Sequence, residues 1–187
     1  EKFTYQLIEF DREYYLMAKN RVEETMAGKK FKVIKDISGN DLAGLRYEHI
    51  FGYYQKQFSE YKTWPADYVS DQEGTGIVTI NGAFGEVDME SAKKYKLPII
   101  VNIDEEGKFT PEVILASGRY VKDAEPVIIE DLKKRNLLFK EEQIIHSYPL
   151  CYRCETPLIY RAQDSWFVDV QKIKPRLLEK NQNIHWV

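Results

Sequence analysis

The chain has 187 residues, a formal charge of −3 and a pI near 5.8, which suits one ordinary domain or one domain with a small annex. That charge excludes a global basic footprint for DNA or RNA, so any RNA partner must be met by local patches or by surfaces outside these residues. No apolar run nears the ~20 residues of a membrane span, the first residues lack a charged region followed by an apolar core, and two cysteines three apart make no disulfide framework. A reducing, cytoplasmic setting with no membrane partner is expected.

Residues 3–10 alternate apolar and polar and read as a strand, so the sequence opens inside an element, as a piece of a longer protein would. Asp11 is placed to cap a helix, with Glu13 in its first turn. Tyr15, Ala18, Val22 and Met26 follow at helical spacing, and Gly28 can end that helix. Residues 30–37 read as a second strand, and Ser38, Gly39, Asn40 and Asp41 as a turn. Residues 42–51 are weakly extended and 52–65 polar, aromatic and irregular. Residues 68–70 are extended, 71–74 turn, and 77–80 form a strand. A helix is predicted over 88–95, with Asp88 at its start, and an apolar strand over 98–103. Glu105, Glu106 and Gly107 turn. Pro126 opens a helix with Ile128, Ile129 and Leu132 along one side. Residues 142–148 are predicted extended, Cys151 and Cys154 bracket a knuckle, 158–160 and 166–168 are short strands, and 174–180 form a helix with Pro175 near its start. The sum is an α+β fold, more barrel-like than doubly wound. Thirteen tyrosines, nine phenylalanines and three tryptophans favour such strands and half-buried surfaces.

The chemistry concentrates in Gly74, Thr75, Gly76, Ile77, Val78, Thr79, Ile80, Asn81, Gly82, Ala83, Phe84, Gly85, Glu86, Val87 and Asp88. Glycines there allow a sharp turn and close backbone approach to a ligand. A carboxylate beside the turn can hold a ligand ammonium through charge-assisted hydrogen bonds. The plain alternative is that Gly82 and Gly85 shape a loop and Asp88 caps the next helix. Cys151 and Cys154 have zinc-knuckle spacing but are two ligands where a structural zinc site needs four; His146 is a candidate third. His49, His146 and His185 are scattered and read as structural or surface residues. Lys133, Lys134 and Arg135, and Lys172, Lys174 and Arg176, are helix faces that could meet a phosphate backbone. Tyr53, Tyr54, Tyr61 and Trp64 could stack bases or anchor loops.

The glycine motif resembles the editing-domain signature of isoleucyl-tRNA synthetases, roughly GTGIVHxAPAFGxxD; here it stands as GTGIVTINGAFGEVD. Further resemblances fall in the same order. They include Gly39 to Glu48 (GNDLAGLRYE), Leu97-Pro98, Glu105 to Phe109, Ser147-Tyr148-Pro149, Cys151-x-x-Cys154, Thr156 to Tyr160, Ser165-Trp166-Phe167 and Ile184 to Val187. The chain is thereby identified as similar to that family's connective-polypeptide insertion. The resemblance implies a small β-barrel-like editing domain with flanking helices over residues 1–139, its N-terminal part missing. Residues 140–187 would be a half zinc ribbon and return segment to the catalytic core.

A hydrophobic pocket rejects a substrate one methylene too small by only ~10–200-fold, a range for which isoleucyl enzymes are the standard example. A second, hydrolytic site then clears the valyl ester. The resemblance makes Asp88 the binder of the substrate α-ammonium and residues 74–76 and 82–85 the pocket lining. It implies tRNA, through its 3′ end, and the parent's catalytic core as partners. It implies no cofactor in these residues, but zinc and ATP/Mg for the whole enzyme. Two departures stand out. Thr79 occupies the family's histidine position, and threonine is no base near neutral pH. Asn81-Gly82 replaces Ala-Pro, which predicts a looser turn. The family's threonine-rich opposite wall would precede Glu1, so little hydrolysis is expected of these residues alone. The alternatives are a docking or spacer module of the same synthetase that has lost editing, or the editing domain of a valyl enzyme.

Overall fold

A computed structural model describes residues 3–142 and 147–185. Three strands, β1 (Thr4–Phe10), β2 (Glu13–Ala18) and β3 (Lys32–Ser38), form an antiparallel sheet in the order β2-β1-β3. The first and third match expectation. The second replaces the start of the predicted helix. Asp11 and Arg12 both adopt positive φ, 52° and 66°, and form a two-residue hairpin turn that pairs Phe10 with Glu13. Helical spacing of Tyr15 and Ala18 was a coincidence of a strand that buries residues on both faces. Val22 lies in one short helical turn, α1 (Val22–Thr25), which Met26 caps.

The sheet is covered on both sides. On one face Ile8, Met17, Val22 and Met26 are buried together, with Phe10, Tyr15, Phe31 and Phe139 packed around them. On the other, Tyr5, Ala18 and Leu42 are buried with Phe3, Leu16 and Ile37. Met17 and Ala18 are neighbours pointing in opposite directions, as a strand requires. A register shift between Leu7 and Ile8 breaks the β1–β3 ladder.

The sheet does not close into a barrel among the described residues. Residues 77–80, 98–103, 158–160 and 166–168, expected as strands, and 68–70, expected as extended, carry no ladder. Only isolated bridges appear outside the sheet: Arg46 with Lys62, Ile103 with Phe109, Lys108 with Tyr120, and Leu150 with Pro157. Local β-propensity is present, but a strand is defined by its partner, and Ile77 and Val78 remain 44% and 51% exposed.

Helix α2 (Glu86–Tyr95) stands where a helix was expected. Trp64 stacks on Tyr95 at 4.5 Å, and the Tyr95 hydroxyl donates to the Pro65 carbonyl, so the aromatic loop is fastened to the end of α2. Helix α3 (Glu125–Lys134) carries Pro126 in its first turn, as predicted. Ile128 of α3 packs on a third cluster, Val113, Ala116 and Ala124. Helix α4 (Val170–Asn181) is capped by Asp169, whose Oδ1 accepts from Lys172 N at 3.1 Å, and contains Pro175. All of α4 is exposed, and Trp166 and Phe167 before it are 100% and 89% exposed. No helix among the described residues is long and apolar enough to cross a membrane. Part of the predicted 142–148 segment, with His146, lies outside the described residues, as do Trp186 and Val187.

One test of this arrangement is Gly76→Ala. At φ +72° a Cβ would sit 2.6 Å from the Ala18 Cβ, on the edge of β2. The variant should lose roughly 1–3 kcal/mol in urea unfolding. An unchanged midpoint would mean that the segment does not seat on the sheet.

Candidate functional site

The motif divides into two structures. The first, residues 71–76, is clamped onto the sheet and the turn that follows β2. Ala18 N donates to Thr75 O at 2.8 Å, and the buried Tyr5 hydroxyl donates to Gly76 O at 2.8 Å. Burial, and secondarily the charge of Asp71, push that hydroxyl's pKa above its ordinary value. Arg21 donates to Gly74 O at 3.1 Å and Gln72 O at 3.0 Å, and Asn20 Nδ2 donates to Asp71 Oδ2 at 2.6 Å. Gly74, Thr75 and Gly76 thus seat the loop; their backbone is committed to the fold.

The second structure is the 81–88 turn. Phe84 N donates to Asn81 O at 3.0 Å, closing the turn. Gly85 is the N-cap of α2, with no side-chain cap, which places Asp88 at the third helical position. Its Oδ2 reaches past the cap to accept from Asn81 N at 3.1 Å. Gly82 lies against α2: a Cβ there would stand 2.8 Å from the Ala92 Cβ. A Cβ on Gly85 would stand 3.6 Å from Asp88 Oδ2, ordinary contact. Ala83 is 2% exposed, and its carbonyl accepts from Ala162 N at 2.7 Å. The turn predicted to be loose at Asn81-Gly82 is therefore tied at both ends.

Asp88 is half-buried, and among the described residues no cation pairs with it. One carboxylate oxygen is committed to the Asn81 amide. Such a group can orient an ammonium. Thr79 is exposed, two residues before the Asn81 amide that holds Asp88. Two open clefts lie elsewhere. An open cleft of about 380 Å³ is lined by Ile103, Asp104, Gly107, Ile159, Arg161 and neighbours, and one of about 500 Å³ by Phe3, Thr4, Lys19, Asn20 and Asp71.

The knuckle is present. Glu155 N donates to Cys151 O and Cys151 N to Thr156 O, both at 2.9 Å, with Glu155 at φ 58°. The exposed Cys154 thiol sits 3.2 Å from Thr156 Oγ1, and that contact, with the Thr156 amide and Cys151, lowers its pKa. Among the described residues no group of three potential ligands assembles, so the half zinc ribbon is a two-thiol turn here. These thiols fit half of a structural zinc set.

Other candidates resolve locally. Lys133, Lys134 and Arg135 pair with Glu141, Glu130 and Asp131, which makes them a self-neutralised helix face. Tyr53 stacks on Phe51 at 5.7 Å, and Trp64 stacks on Tyr95 with Lys62 Nζ 4.7 Å from its ring, so these rings anchor loops. His49 Nδ1 accepts from Phe51 N at 3.1 Å within its own turn. Sequence reasoning did not find Ala92, Ala162 or the Asn81 amide. Only the small size of the two alanines hinted at close approach.

No protein-family profile matches the chain. Individual proteins do. It is 40% identical over 184 residues to an isoleucine–tRNA ligase of Clostridium novyi, covering 98% of this chain. It is 42% identical to that of Treponema denticola over 97% of this chain, and 41% identical to that of Picrophilus torridus over 98%. The chain is homologous to one segment of the isoleucine–tRNA ligases. It spans 18% of the length of each of these three relatives. It is thus a relative of part of an aminoacyl-tRNA ligase, and the homology is continuous across both the glycine motif and the cysteine knuckle.

Two variants test the geometry of this isoleucine–tRNA ligase segment. Gly82→Ala should destabilise by roughly 1–3 kcal/mol through overpacking against Ala92. In an Ala92→Gly background the same change should cost markedly less, a coupling readable in a double-mutant cycle. Equal costs in both backgrounds would refute the contact. Asp88→Asn keeps an acceptor for the Asn81 amide, so thermal stability should change by less than about 1 kcal/mol.

Proposed function

We propose that these residues form the editing module of an isoleucine–tRNA ligase, which hydrolyses valyl ester on the isoleucine-accepting tRNA. The observation that carries the reading is the half-buried Asp88 carboxylate, held on Oδ2 by the Asn81 amide beside the 82–85 turn. The substrate α-ammonium would pair with Asp88, which fixes the ester carbonyl relative to the turn. Water attacks that carbonyl. A carbon–oxygen bond to water forms, the ester bond to the ribose breaks, and a proton passes to the ribose oxygen. The products are free valine and uncharged tRNA. Thr79 can orient a water through its hydroxyl but does not take its proton as a base.

The tRNA 3′ end and the catalytic core of the parent are the partners of this reading, and the parent would ligate isoleucine to tRNA with ATP. Cys151 and Cys154 would supply two thiolates to a structural zinc ion, whose role there is to hold the knuckle.

A second reading is a docking or spacer module that no longer edits. It is favoured by the exposed Thr79 and by the two clefts, neither of which is lined by Asp88.

Deacylation separates them. Valyl and isoleucyl esters of the isoleucine-accepting tRNA are offered to this chain and to a form extended upstream in its gene. The expected result is cleavage of the valyl ester by the extended form, sparing of the isoleucyl ester, and loss of about 100-fold or more in Asp88→Ala, as expected for a lost positioning contact. Cleavage of neither ester by either form would put the spacer reading ahead.

A further inference from the structure

The 82–85 turn is gripped from outside as well as from α2. The Ala83–Phe84 peptide is pinned on both sides. Its N–H donates to Asn81 O at 3.0 Å, and its carbonyl accepts from Ala162 N at 2.7 Å. Fixing both groups fixes the peptide plane, and with it the direction in which the chain enters α2 and presents Asp88 four residues later.

Ala162 is itself well held. Arg161, half-buried, donates from Nε to the Ile103 carbonyl at 3.3 Å. Ile159 lies against Gly107, where an added Cβ would stand 2.9 Å from its Cδ1. The Leu158 carbonyl accepts from the Tyr148 hydroxyl at 2.8 Å, and Lys122 Nζ stands 4.1 Å over the Tyr148 ring. Beyond Ala162, every described residue from 163 to 185 is exposed. Among the described residues, Ala162 makes the last backbone hydrogen bond from the C-terminal part of the chain to the body, and the group it grips is the carbonyl of the candidate turn.

We infer that Arg161 and Ala162 are positioning residues: a strap that holds the 82–85 turn, and through it Asp88, in the geometry that ester hydrolysis needs. The inference rests on the hydrolysis reading for its chemical consequence, but not for its structural content. Neither residue is a catalytic group. Ala162 acts through a backbone N–H, which any residue but proline supplies. Arg161 sets where that N–H stands by anchoring its own segment to Ile103. A reacting geometry displaced by about 1 Å can cost ~100-fold in rate, so a strap of two hydrogen bonds is enough to matter.

Hydrogen exchange of this chain tests the structural part. Ala162→Pro removes the donor, and Arg161→Met removes the anchor while keeping an apolar stem. In both, the Phe84 and Asn81 amides should exchange about tenfold faster, while the Ile8 amide at the centre of β1 is unchanged. Ala162→Gly keeps the donor and should match the parent. Unchanged exchange at Phe84 in both Arg161→Met and a folded Ala162→Pro would overturn the strap.

Deacylation by the upstream-extended form tests the chemical part. The same two variants should lower kcat about tenfold or more with KM little moved, and Ala162→Gly should restore it. Faster exchange with undiminished kcat would overturn the positioning role. If the unmodified protein cleaves no ester, the hydrolysis reading fails by itself, and exchange still decides whether the strap holds the turn.

Discussion

The seating of residues 75–76 on the sheet is the constraint from which the candidate site follows. Ala18 N donates to Thr75 O, and the Tyr5 hydroxyl donates to Gly76 O. The second is a buried bond at the end of a long lever, since Tyr5 lies on the central strand. A buried carbonyl left without a donor costs about 1–3 kcal/mol, so the tyrosine is needed once Gly76 approaches this closely. The approach is possible because Gly76 has no Cβ to strike Ala18. The segment from residue 77 to Asp88 leaves the sheet from this attachment and is held again at Asn81, Gly82 and Ala83.

The body that supports it is modest. Among the described residues Ile8, Val22 and Met26 are the largest fully buried side chains, and the apolar clusters are three rather than one. Two of these clusters cover opposite faces of one three-stranded sheet, which is why β1 reads as alternating yet is buried on both sides. The third lies under α3. Hydrogen bonds and ring contacts fasten the long irregular segments between them. Thr63 Oγ1 donates to the Leu42 carbonyl, and Trp64 stacks on Tyr95. Irregular backbone is held here by side chains because few ladders are available to hold it.

At the turn, two demands on Asp88 agree. The Asn81 amide holds one carboxylate oxygen in place, and a carboxylate is what an ammonium recognises. The same hydrogen bond leaves the second oxygen to a ligand. Asp88 does not cap α2, whose N-cap is Gly85 without a side-chain bond; its carboxylate ties the 81–85 turn to the helix instead, and that role is compatible with binding. Thr79 does not share this arrangement, because its side chain stands exposed before the turn begins.

The sequence by itself determined the local elements whose causes are local. It determined β1 from alternation, β3 as a second strand, α2 behind a glycine turn, α3 from Pro126 and its apolar stripe, and the 105–107 and 151–154 turns. It also determined the family, since residues in matching order across the chain are a property of sequence alone. Only tertiary structure decided the rest. Whether residues 13–18 were helix or strand depended on Asp11 and Arg12 both turning left-handed and on β1 as a partner. Whether 77–80, 98–103, 158–160 and 166–168 became strands depended on ladders that do not form among the described residues. The grip of Ala162 on Ala83 joins two backbone groups, that of Asn81 on Asp88 starts from a backbone amide, the approach of Gly82 to Ala92 is set by where the backbone runs, and every residue carries the same backbone. A sequence does not mark which amide will meet which carbonyl; the folded path of the chain does.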